Sequence, residues 1–254
     1  MKTIQSNGST LAYERLGAGT PLVLIHGFPL DRSIWKDVTP LLESNFDLIL
    51  PDLRGFGKSV AGTSVWTMND LAEDITCLLD HLGIESAFLA GHSMGGYVAL
   101  AFAKMHPRRV RGLALVASQT AADAPEKQED RLAQAKRIGS EGISETAAGM
   151  TTKLSADVRI QGIVRELMLK QEPAGFIGSL HAMAGREDTL SVLTGSVFPV
   201  ILIHGDADSL IPVQRARDIQ VAVPRARLFL IPGSGHMPMM EAPQKVAEGL
   251  ASFQ

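Results

Sequence analysis

With 254 residues, 45% of them apolar, and a formal charge of −3, the chain is long enough to bury an ample core as one large α/β domain or two smaller ones. Its intermixed Lys, Arg, Asp and Glu leave no basic patch of the kind that nucleic acid or an anionic membrane surface selects, so neither partner is expected. Met1 to Thr10 lacks an apolar h-region, no later run is long enough to span a bilayer, and the single cysteine, Cys77, cannot form an internal disulfide. A cytoplasmic location is the expectation.

In chain order, the Asn7-Gly8 pair reads as the turn of a hairpin joining Thr3 to Ser6 with Thr10 to Leu16. That turn displaces the glycosylation reading of Asn7-Gly8-Ser9. Short aliphatic or β-branched runs follow at Leu22 to Ile25, Phe46 to Leu50, Ala87 to Ala90, Gly112 to Ala117, Val200 to Ile203 and Leu228 to Ile231. They read as buried parallel strands. Between most of them lie helical patterns, including Leu71 to Leu82, Tyr97 to Met105, Arg215 to Val221 and Gln244 to Phe253. This alternation predicts an α/β fold, a mostly parallel sheet with helices on both faces and ligands at the strand C-terminal edge. Cys77 falls within the Leu71 to Leu82 pattern and reads as buried packing.

From Ser118 to Val197 the alternation stops for about eighty residues of helical periodicity. The segment runs through Ala121 to Arg137, Ile143 to Lys153, Val158 to Gln171 and a helix from about Pro173 to Ala184. It begins and ends beside strands expected to flank the one that precedes Ser93, which sets it over the strand ends as a cap. The expected division is residues 1–118 and 198–254 as the core and 119–197 as the helical cap.

Some apparent motifs carry no chemistry. Gly57-Lys58-Ser59 resembles the end of a phosphate-binding loop, but Asp52 stands where that loop needs glycine. The seven histidines are scattered without metal-ligand spacing, so neither a metal nor another cofactor is expected.

The chemistry-bearing segment is Gly91-His92-Ser93-Met94-Gly95, a G-x-S-x-G turn between an apolar strand and a small-residue helix. So tight a turn strains the serine backbone, admits almost no side chain two residues to either side, and lifts the hydroxyl above the sheet edge. The amide of Met94 then opens a helix and is available to an oxyanion. After the first parallel strand comes His26-Gly27-Phe28-Pro29, where the amide of Phe28 is placed to supply a second oxyanion donor, while His26 both pins the loop and borders the site. The loop Asp52 to Ser59 is assigned structural work. A serine hydroxyl needs an imidazole to accept its proton, and His236, in the glycine-rich loop Gly233 to His236 after the last strand, is the best candidate. His81 and His106 belong to helices, His181 to the cap, and His92 and His204 to strand-end packing. Two aspartates follow Val200 to Ile203; Asp208 is favoured as the orienting acid because Asp206, first after Gly205, is placed to cap the loop. His26, Leu30, Leu210 and Met237 are candidate substrate-pocket residues. Arg186, near the cap exit, is expected to pair at the surface with Glu187 or Asp188, the alternative being contact with an acidic substrate.

The order Ser93, Asp208, His236, with His26-Gly27, Asp52 to Ser59, Gly91 to Gly96, Gly205 to Asp208 and Gly235-His236 in sequence, resembles the α/β-hydrolase superfamily over nearly the whole chain. Gly27 to Leu30 and Met183 to Asp188 look like its compact, cofactor-free branch of carboxylesterases, 3-oxoadipate enol-lactonases and non-haem haloperoxidases. The resemblance implies an eight-stranded sheet, a four-helix lid, Ser93, Asp208 and His236 as the triad, and the amides of Phe28 and Met94 as the oxyanion hole. The expected function is serine hydrolysis of a small to medium carboxylic ester or lactone, a small-molecule substrate, through an acyl-enzyme. Carbon–carbon bond hydrolysis, acyl transfer and perhydrolysis share the same triad and stay open, as does a ligand-sensing or signalling homologue with little turnover. Serine at the elbow argues against dehalogenation and epoxide hydrolysis, which use an aspartate in this fold. Aminopeptidase action would need Glu141, Glu145, Glu166 or Glu172 to grip an amine.

Overall fold

The computed structural model describes residues 1–62 and 65–253. Asn7 and Gly8 take φ of 46° and 78°, the left-handed pair that a two-residue hairpin needs. They join β1 (Lys2–Ser6) to antiparallel β2 (Ser9–Gly17). β2 lies antiparallel to β4 (Phe46–Pro51), and beyond it β3 (Thr20–Ile25), β5 (Ala87–His92), β6 (Val110–Val116), β7 (Val200–Gly205) and β8 (Arg227–Ile231) run parallel. The eight-stranded order is β1-β2-β4-β3-β5-β6-β7-β8.

Every residue of β4, β5 and β7 is buried. Successive strand residues point to opposite faces, so both faces of the sheet are covered, which is why these segments read as continuous apolar runs. The cover includes α2 (Met68–His81) packed on α3 (Met94–Met105), and α1 (Thr39–Leu42) packed on α11 (Pro243–Ala251). A capping box fixes where α2 starts: Asp70 N donates to Thr67 Oγ1 while the Asp70 carboxylate accepts from Thr67 N. Cys77 on α2 is half-buried rather than buried, with Asn7 Nδ2 3.8 Å from its sulfur, because the hairpin turn covers only part of it. No described helix is long and apolar enough to cross a membrane.

Between β6 and β7 lie α4 (Pro125–Glu141), α5 (Ser144–Leu154), α6 (Val158–Leu169), α7 (Pro173–Ala184) and the short α8 (Leu190–Thr194). α4 packs along α7 and α5 on α6. α8 is too short for helical periodicity to betray it, as are α1 and α10 (Pro238–Glu241); α9 (Gln214–Ala222) precedes β8. One expectation needs correction: β6 does flank β5, but β7 pairs with β6 and lies one strand further away. The helical segment thus leaves from beside the serine strand and returns at the strand beyond.

The chain steps from β3 out to β4 and then back to β5 on the other side of β3. The order reverses between β3 and β5, and such a reversal opens a crevice at the C-terminal strand ends, where α/β sheets bind ligands. The loops after β3 and β5 carry Phe28 and Ser93.

Candidate active site

Ser93 follows β5 and heads α3 at φ 50°, ψ −115°, a conformation that costs a non-glycine residue about 1–3 kcal/mol. Its neighbours hold it there. Ser93 N donates to Val116 O at 2.9 Å and Ser118 Oγ donates to Ser93 O at 2.8 Å. A Cβ on Gly91 would stand 2.2 Å from Gly95 O, and one on Gly95 would stand 2.4 Å from Ile25 O and 2.6 Å from His26 O. Both glycines are therefore required by backbone atoms that cannot rotate away. The Ser93 side chain is half-buried and does not cap α3, so its hydroxyl is not committed to the helix.

The loop after β3 is fastened through His26, which is wholly buried. Its Nδ1–H donates to Gly27 O at 3.0 Å and its Nε2 accepts from Leu53 N at 2.9 Å. Burial, the largest influence, lowers its pKa, in keeping with the neutral form this bonding requires. Among the described residues the Phe28 and Met94 amides donate to no protein group, and Met94 N lies in the first turn of α3, at the positive end of the helix dipole. The Asp52 loop does structural work: Asp52 accepts from Arg32 N at 3.0 Å and Lys58 N at 2.8 Å and pairs with the Arg32 side chain. Ser59 Oγ donates to Asp52 O at 2.6 Å.

Asp208 and His236 meet across the loops after β7 and β8, with His236 Nδ1–H donating to Asp208 Oδ2 at 2.7 Å. The other carboxylate oxygen accepts from Leu210 N at 2.8 Å and Ile211 N at 3.0 Å. Burial alone would raise the Asp208 pKa; hydrogen bonds from His204 and His236, the His236 charge and the Ile211 amide outweigh it and hold the carboxyl well below the usual range. His204 is thus more than strand-end packing: its Nε2–H donates to Ile211 O at 2.8 Å and lies 3.4 Å from Asp208 Oδ2. Asp206 is exposed and accepts from Gly233 N at 2.7 Å, tying the two loops together from outside. With Nδ1 protonated, a neutral His236 keeps its lone pair on Nε2, the nitrogen that can accept a proton.

Glu241, which motif reasoning passed over, anchors the His236 loop. Its carboxylate accepts from Ser234 Oγ at 2.5 Å, Gly235 N at 2.6 Å and Ser155 Oγ. It has no spacing signature, since its partners lie on its own loop and, distantly in sequence, after α5. The last carbonyls of α5 lack helical partners; they accept from Ser209 Oγ onto Lys153 O at 3.2 Å and from His236 N onto Leu154 O at 3.1 Å. On the opposite side, Gln171 Oε1 accepts from Gly57 N at 2.7 Å. Phe176 on α7 packs edge-on to Phe28 at 5.4 Å between ring centroids. The helical segment is therefore joined to the loops that carry Phe28, Asp208 and His236.

Other expected residues sit differently. His26, Leu30 and Met237 are each 0% exposed, so they line no space that solvent enters; both His26 nitrogens are spent on the backbone. Leu210 is half-buried. Arg186 does not pair at the surface. It is buried on the Tyr97 ring at 4.2 Å, bridges to Asp123 at 2.9 Å, and donates to Ala121 O at 2.8 Å. Its nonpolar stem and flat guanidinium suit that position between α3 and α7, whereas Glu187 pairs with Lys104. Glu141, Glu145, Glu166 and Glu172 are all exposed.

Residues 20–243 match the family described as alpha/beta hydrolase fold. The chain is 32% identical over 260 residues to the dihydrolipoyllysine-residue acetyltransferase component of the acetoin cleaving system of Pseudomonas putida, covering 97% of this chain and 67% of that protein. It is 29% identical over 267 residues to a pimeloyl-(acyl-carrier protein) methyl ester esterase of Aeromonas hydrophila, covering 96% of this chain and 99% of that protein. A solved thermophilic esterase from Thermogutta terrifontis shares 33% identity at a TM-score of 0.95, covering 99% of this chain and 97% of that one. Sheet order, strand-end loops and sequence agree, and the chain belongs to the alpha/beta hydrolase fold family, with esterases among its relatives.

Proposed function

We propose that the protein is a serine hydrolase that cleaves a small to medium carboxylic ester or lactone through an acyl-enzyme. The observation that carries this reading is the 2.7 Å bond from His236 to a buried, ionised Asp208, on the same sheet edge as the strained Ser93 turn. His236 Nε2 takes the Ser93 proton as Oγ attacks the acyl carbonyl. The oxyanion forms against the amides of Phe28 and Met94. His236 then gives its proton to the departing alkoxide, and the alcohol leaves. Water, deprotonated by His236, attacks the acyl carbon; Ser93 recovers its proton and the acid departs. Asp208 holds the imidazole in the Nδ1–H form and stabilises its cation in both halves.

Residues 119–197 act in this reading as a cap over the strand ends, with Phe28 bordering the acyl group and the buried Phe176 packed against it. The relatives named as esterases support ester chemistry over carbon–carbon cleavage. The test is treatment of folded protein with an organophosphonate followed by peptide mass spectrometry, alongside turnover of p-nitrophenyl acetate and butyrate. An adduct on Ser93 with measurable turnover is expected. An unlabelled Ser93 overturns the nucleophile, and labelling without ester or lactone turnover overturns the reaction class.

A further inference from the structure

His92 has no part in the chemistry above, yet it is wholly buried at the end of β5, directly before Ser93. Its Nε2 lies 2.8 Å from the main-chain oxygen of His236. A carbonyl only accepts, so Nε2 carries the proton and Nδ1 carries a lone pair. That Nδ1 is buried with no hydrogen-bond partner among the described residues, and Gly27 packs so closely that a Cβ there would stand 2.5 Å from it. The His92 and His236 rings lie 5.0 Å apart between centroids. An imidazole here leaves a buried acceptor unsatisfied, a cost that an apolar side chain would avoid. What it gains is a single hydrogen bond, and that bond goes to the backbone of the base.

We infer that His92 is a positioning residue whose Nε2–H ties the His236 carbonyl to the nucleophile turn and so sets the base in register with Ser93 and Asp208. The inference rests on the serine-hydrolase reading. Ser93 follows β5 and His236 follows β8, with β6 and β7 between those strands, so neither sheet pairing nor chain continuity fixes their distance. The His92 bond spans that gap directly. Burial, with the charge of His236 beside it, also lowers the His92 pKa to about 3, so His92 stays neutral and does not compete for the Ser93 proton.

The test compares His92→Gln, whose amide can donate to the carbonyl, with His92→Met and His92→Leu, which cannot. Thermal unfolding identifies the folded variants, and steady-state kinetics and the rate of Ser93 phosphonylation are then measured. A misplacement of about 1 Å costs on the order of 10²-fold, so the Met and Leu variants are expected to lose about that factor in kcat with little change in KM, and to label Ser93 correspondingly slowly. His92→Gln is expected to recover most of both. A folded Met or Leu variant with wild-type kcat and labelling overturns the positioning role, as does a folded Gln variant no better than they are. Wild-type protein that never labels at Ser93 overturns the serine-hydrolase reading itself, an outcome distinct from either.

Discussion

The Ser93 turn and the Asp208–His236 loops face each other across the sheet edge, but they are held by different means. At the turn, backbone packs on backbone: Gly91 against Gly95 and Gly95 against Ile25 and His26 leave no room for a methyl group. The facing loops are held by polar groups reaching across sequence, with Glu241 gathering Ser234, Gly235 and Ser155 and Asp208 gathering two amides and an imidazole. A turn that stores strain needs a frame that does not yield. A base that must change charge during turnover needs partners that stabilise both its forms. The difference predicts that changes at the turn act all or none, whereas changes in the facing loops are graded.

The largest expected effect is that of Ser93→Ala, which by comparison with serine triads should lower kcat by about 10⁶-fold. Thermal unfolding should show it at least as stable as wild type, because the hydroxyl does not cap α3. A marked loss of stability would mean that the serine serves the turn as well as the reaction. Asp208→Asn should cost about 10⁴-fold in kcat by favouring the wrong imidazole tautomer, with the Leu210 and Ile211 amides still satisfied by the side-chain oxygen. Near-normal turnover would shift the orienting role to another group.

Stability variants separate the two regions further. Gly95→Ala puts its methyl 2.4 Å from a backbone oxygen and should destabilise by about 3 kcal/mol in urea unfolding, the upper end of the usual cost of overpacking, because the strand backbone cannot move aside. Glu241→Gln keeps the shape but weakens charge-assisted bonds. Its expected cost is about 1–2 kcal/mol, with kcat reduced less than in Asp208→Asn. Equal losses from the two changes would erase the distinction between the regions.

The same distinction explains what the sequence made legible. Strain leaves a local trace, so Gly91 to Gly95 disclosed the turn, and fully buried strands disclosed themselves as apolar runs. Position within the loops after the last two strands pointed to Asp208 rather than Asp206 and to His236 among seven histidines, and the structure joins those two side chains by a 2.7 Å hydrogen bond. Glu241 and the α5 carbonyls left no trace, because Ser155, Ser209 and His236 reach them from distant parts of the chain and any carboxylate or helix end would look alike. His92 reads from sequence as strand packing; only the carbonyl opposite it shows otherwise. Leu30 and Met237 lie near the motifs in sequence but are wholly buried, since adjacency along a loop does not say which way a side chain turns. Arg186 was misplaced for a related reason: its partner, Asp123, lies at the far end of the helical segment.

The smallest expected effect concerns pH. The turn side buries two neutral histidines, His26 and His92, whose pKa values are lowered chiefly by burial, for His92 to about 3. The unfolded chain protonates both near pH 6.5, so below that pH it binds more protons than the folded chain, and stability falls as pH falls. Each such histidine contributes up to about 1.4 kcal/mol per pH unit through this window. Asp208 on the facing side has the opposite chemistry: its depressed pKa contributes stability that is present above its ordinary value of 3.8 and is lost only as pH falls below it. Urea unfolding between pH 7 and 5 should therefore show a slope that His92→Gln reduces by about one histidine's share. Below pH 4 the Asp208→Asn protein should lose stability less steeply than wild type. A pH 7 to 5 slope that His92→Gln leaves unchanged would place the titrating group elsewhere in the molecule.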